Sequence, residues 1–311
     1  MFARFDPRPT LKAVLACAGI VLCGTSVAAE QPVKLAAHFI IAMTHVRVGE
    51  LTWTVAFADN SYLASANGKA SGVLSVLVKG EGSVTTHGTL ANGRLVPMSA
   101  RSDVSDEDGA YEVRMTFDNG ALKHVENHGA PAPKDVVRVQ PEYLHNVTDP
   151  LSAMLISYGD EAFAPANCGK TLRIFDGRRR YDLALSYKRV DTLTNTRGYA
   201  GRVLVCNVVL HPIAGYKAGS LLVKYLAGKS DLEMWFAPIA GVAVMAPVRA
   251  LMPTLIGTMD ISADEFEAVA AHTVAPAKPV EVAPLAPAQP TGVAPPAAAK
   301  PVEVAPLAPA K

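Results

Sequence analysis

The sequence has few cysteines, little net charge and no long uninterrupted apolar segment after its first 29 residues. Four cysteines exclude a disulfide-dense scaffold, and a formal net charge of +1 at pH 7 does not indicate a nucleic-acid-binding surface. The most apolar later stretch, residues 234–261, contains Pro238, Pro247, Pro253 and Arg249. A lipid-exposed helix would not carry these residues together. We therefore expect neither an integral membrane protein nor a nucleic-acid partner.

Familiar catalytic and metal-binding motifs are also missing. There is no G-x-S-x-G, H-E-x-x-H or C-x-x-C pattern. The acidic stretch at Asp103, Asp106, Glu107 and Asp108 resembles the start of a calcium loop but lacks the distal glutamate. We expect no catalytic residue, metal or cofactor. A hydrolase acting through acids such as Asp103, Asp106 or Asp182 is the least favoured alternative, since spacing fixes no pair of carboxylates.

The first 29 residues have the features of a Sec-type signal peptide. Arg4, Arg8 and Lys12 precede the apolar run 13–21, and small residues at 26–29 suit signal peptidase cleavage near Ala29. Removing this segment takes away three basic residues and one acidic residue, which leaves a formal net charge of −1. We expect an exported, periplasmic protein whose folded domain spans residues 30–271.

Two cysteines, Cys168 and Cys206, remain after cleavage. Disulfides form and persist outside the cytoplasm, so one intramolecular bridge between them is the prediction. A redox-active or metal-binding thiol pair is the alternative, but there is no histidine at ligand spacing.

The C-terminal segment, residues 272–311, is rich in proline and alanine. The twelve residues 277–288 are repeated letter for letter at 299–310. Frequent prolines exclude helix and sheet, and the composition offers no aromatic anchor for a core. We expect a disordered tail, which is either a plain solvated segment or an arm that contacts envelope proteins.

The central region alternates between strand-forming residues and turn signals. Asn92-Gly93, Asp108-Gly109, Asn119-Gly120 and Asp176-Gly177 are typical hairpin turns. The pattern predicts an all-β, antiparallel meander that forms an open or half-closed β-barrel. The predicted strands are residues 39–48, 50–58, 83–90, 94–102, 111–117, 121–126, 171–175, 178–189, 201–210, 220–225, 231–236, 240–248 and 254–260.

One or two short helices accompany the predicted strands. Asp149 precedes Pro150 and can cap a helix that ends before Gly159 and plugs or flanks the sheet. Ser262 and Glu265 form an S-x-x-E capping box for a second helix. The pattern of residues 73–77 fits both a helical turn and a strand.

The hairpin at Asp176-Gly177 supplies the candidate ligand-binding residues. With a two-residue loop, Arg173, Arg178, Arg180 and Asp182 would share one face of the hairpin. Like charges placed opposite one another cost stability unless something neutralises them, and one carboxylate does not suffice. A bound phosphate or carboxylate headgroup is one solution. The alternative is a solvated outer face.

Several segments resemble an uncharacterised bacterial exported family, a domain of unknown function (DUF3108-like). They are His38-Phe39-Ile40, Val48-Gly49, Gly88-Thr89-Leu90 and Leu95-Val96-Pro97. Segments 147–153, 175–182 and 212–216 resemble its alphaproteobacterial version. The resemblance covers residues 35–265 and implies an open or half-closed β-barrel, but it transfers no catalytic residue.

These observations favour a non-enzymatic periplasmic protein associated with the cell envelope. We expect it to bind a lipid-like or anionic amphiphilic ligand in an apolar cleft of the sheet. The alternative is a structural or scaffolding protein that uses its proline-rich tail for protein contacts.

Overall fold

The computed structural model describes residues 32–70, 80–91, 93–106, 109–194, 198–229 and 231–270. The predicted signal peptide with its cleavage point, the predicted tail and the ambiguous turn at residues 73–77 lie outside these residues.

The described residues form fourteen strands and two short α-helices. The helices are α1 (Pro150–Met154) and α2 (Leu221–Ala227). The strands are β1 (Val33–Met43), β2 (Val46–Ala58), β3 (Ser61–Ala70), β4 (Glu81–Ala91), β5 (Arg94–Asp106), β6 (Gly109–Asp118), β7 (Ala121–Gly129), β8 (Ile156–Ser157), β9 (Thr171–Phe175), β10 (Arg180–Leu193), β11 (Gly201–Ala214), β12 (Leu232–Pro238), β13 (Val244–Thr254) and β14 (Gly257–Ala270).

All fourteen strands belong to one antiparallel sheet. Its order is β7-β6-β5-β4-β3-β2-β1-β14-β13-β12-β11-β10-β9, and β8 pairs with β13. The pairing of β1 with β14 joins two meanders, while β7 and β9 form the two edges and do not pair with each other. The predicted all-β class and open meander are confirmed.

Alternating burial explains why these segments form strands. In β1, Val33, Leu35, Ala37 and Phe39 are buried, and the residues between them are more exposed. The largest core cluster collects such positions from β1, β2, β3, β11, β12, β13 and β14, together with Leu151 of α1. The sheet therefore curls around a shared apolar interior.

Several predicted strands are wrong in their extent or type. The segment 254–260 contains the turn at residues 255–256 between β13 and β14, and the segment 240–248 begins in the turn before β13. The segment 39–48 is not one strand, because Thr44 and His45 adopt positive φ angles of 45° and 72° and form the turn between β1 and β2. The segment 220–225 is α2, whose start is capped by Ser220 Oγ accepting from Val223 N at 3.3 Å. An apolar run this short fits either element locally.

The predicted second helix at Ser262 and Glu265 is also wrong. Ser262 lies in β14 and pairs with Ile40 on one side and Arg249 on the other. Two neighbouring strands satisfy its backbone, and this tertiary pairing overrides the local capping pattern. β3 was not predicted; in this strand Tyr62 and Ala64 alternate with exposed or half-buried residues.

The helix predicted after Asp149 is present and is shorter than expected. Asp149 Oδ1 accepts from Leu151 N at 3.0 Å and from Ser152 N at 3.1 Å. α1 ends at Met154 rather than near Gly159, because Ile156 and Ser157 pair with β13 as β8. α1 contributes its buried side chains to the interior of the sheet.

The predicted disulfide between Cys168 and Cys206 is confirmed, with a Cα–Cα distance of 5.6 Å. It connects the 3-10 turn Pro165–Cys168 to β11, and both residues are fully buried. A disulfide fits an exported protein. Within the described residues, no helix has the length and apolar character to cross a membrane.

Candidate functional site

The arginine hairpin has a different register from the predicted one. Arg180 pairs with Phe175, so residues 176–179 form a four-residue loop instead of a two-residue turn. Asp176 Oδ1 accepts from Arg178 N at 2.8 Å and from Arg179 N at 2.6 Å, which stabilises the wider loop. We call residues 176–179 the closing loop, because it reaches from the β9 edge to strands near the opposite edge.

Arg178 fastens the closing loop to those strands. Its guanidinium carbon lies 3.5 Å from the centre of the Tyr111 ring on β6. It also donates to Asn127 Oδ1 on β7 at 3.4 Å and to the Ala130 carbonyl. Asn127 Nδ2 donates back to the Gly177 carbonyl at 3.3 Å. The sheet edges are thus linked by side chains although they share no ladder.

Arg180 is buried beneath the hairpin, with 4% of its surface exposed. It donates to the Tyr143 carbonyl at 2.8 Å and the Tyr181 carbonyl at 2.7 Å, and it pairs with Asp182. Arg173 is exposed and lies opposite Asp182 on the neighbouring strand. The predicted row of opposed arginines is therefore wrong. A ligand-binding role stays a prediction for Arg173, Arg178, Arg180 and Asp182. The repulsion between opposed arginines, which suggested that role, does not arise in this register.

A buried polar cluster lies where α1 meets the sheet. Thr86 on β4 donates to Asp149 Oδ1 at 2.7 Å, and Tyr62 and Ser152 share a hydrogen bond of 2.6 Å between their hydroxyls. Asp149 is fully buried and its Oδ2 has no hydrogen-bond partner in the described structure. Burial raises the pKa of Asp149 and that of Tyr62. The cluster positions α1 inside the sheet.

An apolar cavity of about 170 Å³ lies next to α1 in the interior of the sheet. Its walls come from seven elements, and all but one of the lining side chains are apolar. They are Phe39, Leu51, Trp53, Ala66, Leu151, Met154, Met234, Pro247, Ala250 and Ile261, with Arg249 as the exception. α1 lines this cavity, as the sequence led us to expect for a helix that plugs the sheet.

Two residues of the cavity wall carry polar atoms, but all of the surface that the cavity exposes is apolar. Trp53 is buried, and its Nε1 finds no acceptor within the described part of the chain. Arg249 is paired through two nitrogens with Asp260, at 3.1 and 2.5 Å, and its guanidinium lies 5.2 Å from the Trp235 ring centre. The cavity thus offers a ligand neither a hydrogen-bond donor nor an unbalanced charge.

A larger groove of about 760 Å³ is open, and most of its lining residues are polar, charged or glycine. Several of its acids already have basic partners: Glu50 pairs with Lys69 at 2.8 Å, and Asp103 pairs with Arg101 at 3.0 Å. The hydrogen bond from Lys69 lowers the pKa of Glu50 despite some opposing desolvation. We regard the smaller cavity as the better candidate, because an apolar lining suits a small ligand more than paired surface charges do.

Two of the acids considered for a hydrolase are held in ion pairs. Asp182 is paired with Arg180, and Asp103 is paired with Arg101. In the part of the chain that the structure describes, no group of three or more His, Cys, Asp or Glu residues could hold a metal ion. The question of catalytic activity stays a prediction from the sequence.

Together, the curled antiparallel sheet, its interior helix and the small cavity define a β-barrel-like protein with an open sheet. The family model DUF3108, described as "Protein of unknown function", matches residues 38–264, and the chain belongs to this family. A crystal structure of a β-barrel-like protein of domain of unknown function DUF1849 from Brucella abortus is similar, with a TM-score of 0.42 and 9% identity. The match covers 76% of this chain and 97% of that chain. No curated protein matches.

Sequence reasoning did not find the cavity residues. Phe39, Trp53 and Leu151 could be assigned to buried faces from their spacing, but their convergence depends on pairings between distant strands. The signal that was available is the aromatic content of β1 and β2 beside the capped helix at Asp149.

Proposed function

We propose that this protein is a non-enzymatic binding protein of the bacterial periplasm that holds the apolar part of a small amphiphile. The observation that carries the proposal is the apolar cavity beside α1, which the protein's own side chains leave unfilled. Apolar clefts with few polar groups are the usual sites for small ligands. The apparent signal peptide and the disulfide support the compartment.

The cavity limits the size of the enclosed group. An apolar cavity of about 150 Å³ can hold benzene, so about 170 Å³ suits one ring or a chain end of about six carbons. The rest of a longer ligand would lie outside the cavity.

The apolar lining favours an uncharged group over an anion inside the cavity. All of the surface that the cavity exposes is apolar, so a charged headgroup would find no hydrogen-bond partner there. Arg249 is neutralised by Asp260, so it adds little attraction for a free anion. The polar or charged part of the lipid-like or anionic ligand expected from the sequence would therefore lie outside the cavity.

The first experiment is native mass spectrometry with lipid extraction on protein purified from periplasm without detergent. It is followed by calorimetric titration with hexanol and hexanoate. We expect a co-purifying amphiphile and tighter binding of hexanol than of hexanoate. A clean ligand-free mass with no heat of binding for either probe would contradict the proposal.

A cavity-filling variant tests the location. Ala66→Leu adds three carbons to the cavity wall and should abolish probe binding without lowering the unfolding midpoint by more than a few degrees. Ala250→Leu fills the same cavity from another strand and guards against misfolding of the first variant. Ala121→Leu, at an exposed position of β7, is the matched control and should bind as the wild type does.

A scaffolding function is the second candidate. It is favoured by the extent to which core side chains fill the interior of the sheet. A clean ligand-free mass would move support to this alternative, with the proline-rich tail as the interaction segment.

A further inference from the structure

Large exposed apolar side chains are concentrated at one end of the protein. Among the described residues ten are exposed, and five of these lie beside the β1–β2 turn, in the β13–β14 turn and on α2. They are Val46 (51% exposed), Leu221 (73%), Leu222 (49%), Leu255 (57%) and Ile256 (78%). We call these five residues the apolar end. Single exposed apolar residues are ordinary, but a group of this kind marks an interaction surface.

Hydrogen bonds hold the two turns of the apolar end together. Thr44 N donates to the Thr258 carbonyl at 3.0 Å, and Thr44 Oγ1 donates to the Ile256 carbonyl at 3.5 Å. The β1–β2 turn and the β13–β14 turn therefore lie side by side. Val46, Leu255 and Ile256 project from a joined pair of hairpin tips.

α2 lies at the same end of the sheet. It directly precedes β12, whose Glu233 pairs with Leu251, so β13 continues past the start of β12 towards its turn with β14. α2 packs against β11 and β13, with Leu226 buried, while Leu221 and Leu222 remain exposed. The helix thus adds two leucines to the apolar surface of the hairpin tips.

The charges around α2 are mostly positive. Lys224 is exposed in the last turn of the helix, and Lys229 follows it, with its ammonium 4.7 Å from the Tyr225 ring centre. Across the residues that the structure describes, neither lysine forms a salt bridge, and Asp231 is the nearest acid in the sequence. Protruding apolar side chains beside lysines and a tyrosine match the chemistry of an anionic membrane surface.

We propose that the apolar end docks onto the surface of an anionic lipid bilayer. Leu255, Ile256 and Leu221 enter the boundary between headgroups and acyl chains, and Lys224 and Lys229 contact lipid phosphates. Hairpin tips that project from the fold suit insertion into a deformable surface more than they suit a rigid protein groove. Docking at a membrane would place the protein where amphiphiles are found, but it does not depend on a filled cavity.

The test is co-sedimentation of the full mature chain with vesicles. Vesicles of phosphatidylethanolamine with phosphatidylglycerol are compared with vesicles of phosphatidylcholine alone. We expect at least tenfold stronger partitioning onto the anionic vesicles, weakened by 0.5 M salt. The double variant Leu255→Ser/Ile256→Glu should lose this binding, and Lys224→Gln/Lys229→Gln should weaken it several-fold.

An exposed leucine outside the apolar end provides the matched control. Leu63 is 48% exposed and lies near the β2–β3 turn, at the other end of β2 from Val46. Leu63→Glu should leave vesicle binding unchanged. Absence of wild-type binding to anionic vesicles would overturn the proposal. Equal loss in Leu63→Glu would also overturn it, and so would a dimer in light scattering that Leu255→Ser/Ile256→Glu dissociates, because the apolar end would then be an interface between two copies.

The cavity and the apolar end can fail separately. Ala66→Leu should abolish hexanol binding and keep vesicle binding, whereas Leu255→Ser/Ile256→Glu should do the reverse. If the wild type shows only one of the two activities, the missing one identifies which of the two proposals is wrong.

Discussion

Asp149 is an enclosed carboxyl group with an uneven set of contacts. Its Oδ1 accepts three hydrogen bonds, from Thr86 and from two backbone N–H groups of α1, while its Oδ2 has no partner in the described structure. Desolvation raises the pKa of Asp149 above its ordinary value. Asp149 therefore caps α1, and its ionised form destabilises the folded state.

We predict that Asp149→Asn removes a pH dependence of stability. A folded-state pKa above the unfolded value of about 4 means that the folded state keeps its proton to higher pH, so wild-type stability falls as pH rises from about 4 through the folded pKa. The asparagine side chain does not titrate in this pH range. The free energy of unfolding of the variant should therefore rise relative to that of the wild type as pH increases. Urea unfolding between pH 3.5 and 8 measures both profiles.

Asp149→Ala is the contrasting variant. It removes the cap and leaves the Thr86 hydroxyl without its acceptor, which should make it about 1–3 kcal/mol less stable than Asp149→Asn at every pH. If Asp149→Asn instead lost stability relative to the wild type as pH rose, the carboxylate would be the form that the fold prefers.

The side chain of Arg178 holds the closing loop in place. Arg178 joins the β9–β10 hairpin to β6 and β7 through its stacking on Tyr111 and its hydrogen bonds to Asn127 and Ala130. Gly177 approaches β6 so closely that an added Cβ would lie 2.1 Å from Val113 Cγ1. The loop thus packs tightly where the two edges come together.

We predict that Arg178→Ala loosens the closing loop without unfolding the sheet. The loss of one cation–π contact and its hydrogen bonds should lower the free energy of unfolding by about 1–2 kcal/mol. Hydrogen exchange should accelerate in residues 176–179 and at the adjoining ends of β6 and β7. Arg173→Ala, on an exposed position of β9, is the control and should change neither quantity. Equal exchange in the two variants would show that Arg178 does not fasten the edges.

The elements that were predicted correctly are mainly those stabilised by residues close together in the sequence. The Asp149-Pro150 start of α1, the strands flanking Asn119-Gly120 and the Cys168–Cys206 bridge follow from residue types at short range or from the small number of candidates. Period-two alternation also identified most of the sheet.

The errors occurred where distant parts of the chain decide the structure. Ser262 and Glu265 fit a capping box, but β1, more than 200 residues earlier, pairs with this segment. Asp176-Gly177 fits a two-residue turn, yet Asp176 Oδ1 binds two following N–H groups and Arg180 reaches Tyr143, which widens the loop. The cavity is volume left between distant strands, and no local pattern encodes it.

At the scale of the whole molecule, we predict that the fold does not need its C-terminal segment. The composition of residues 272–311 offers little that could form a core. Their deletion should change the free energy of unfolding by less than about 0.5 kcal/mol. Urea unfolding of the truncated and full chains measures this difference, and a loss of more than about 2 kcal/mol would mean that the segment packs on the sheet.

The pairing of β1 with β14 sets an order of assembly. Every other neighbouring pair along the main path of the sheet joins strands that are consecutive in the chain, whereas Val33 meets Ala270 only after the last strand has been made. Synthesis proceeds from the N-terminus, and distant contacts form slowly. A newly made chain therefore passes through a stage in which β1 has one open edge, and an open edge can pair with another chain. The risk that the open edge of β1 pairs with another chain is therefore greatest until β14 has formed and paired with it.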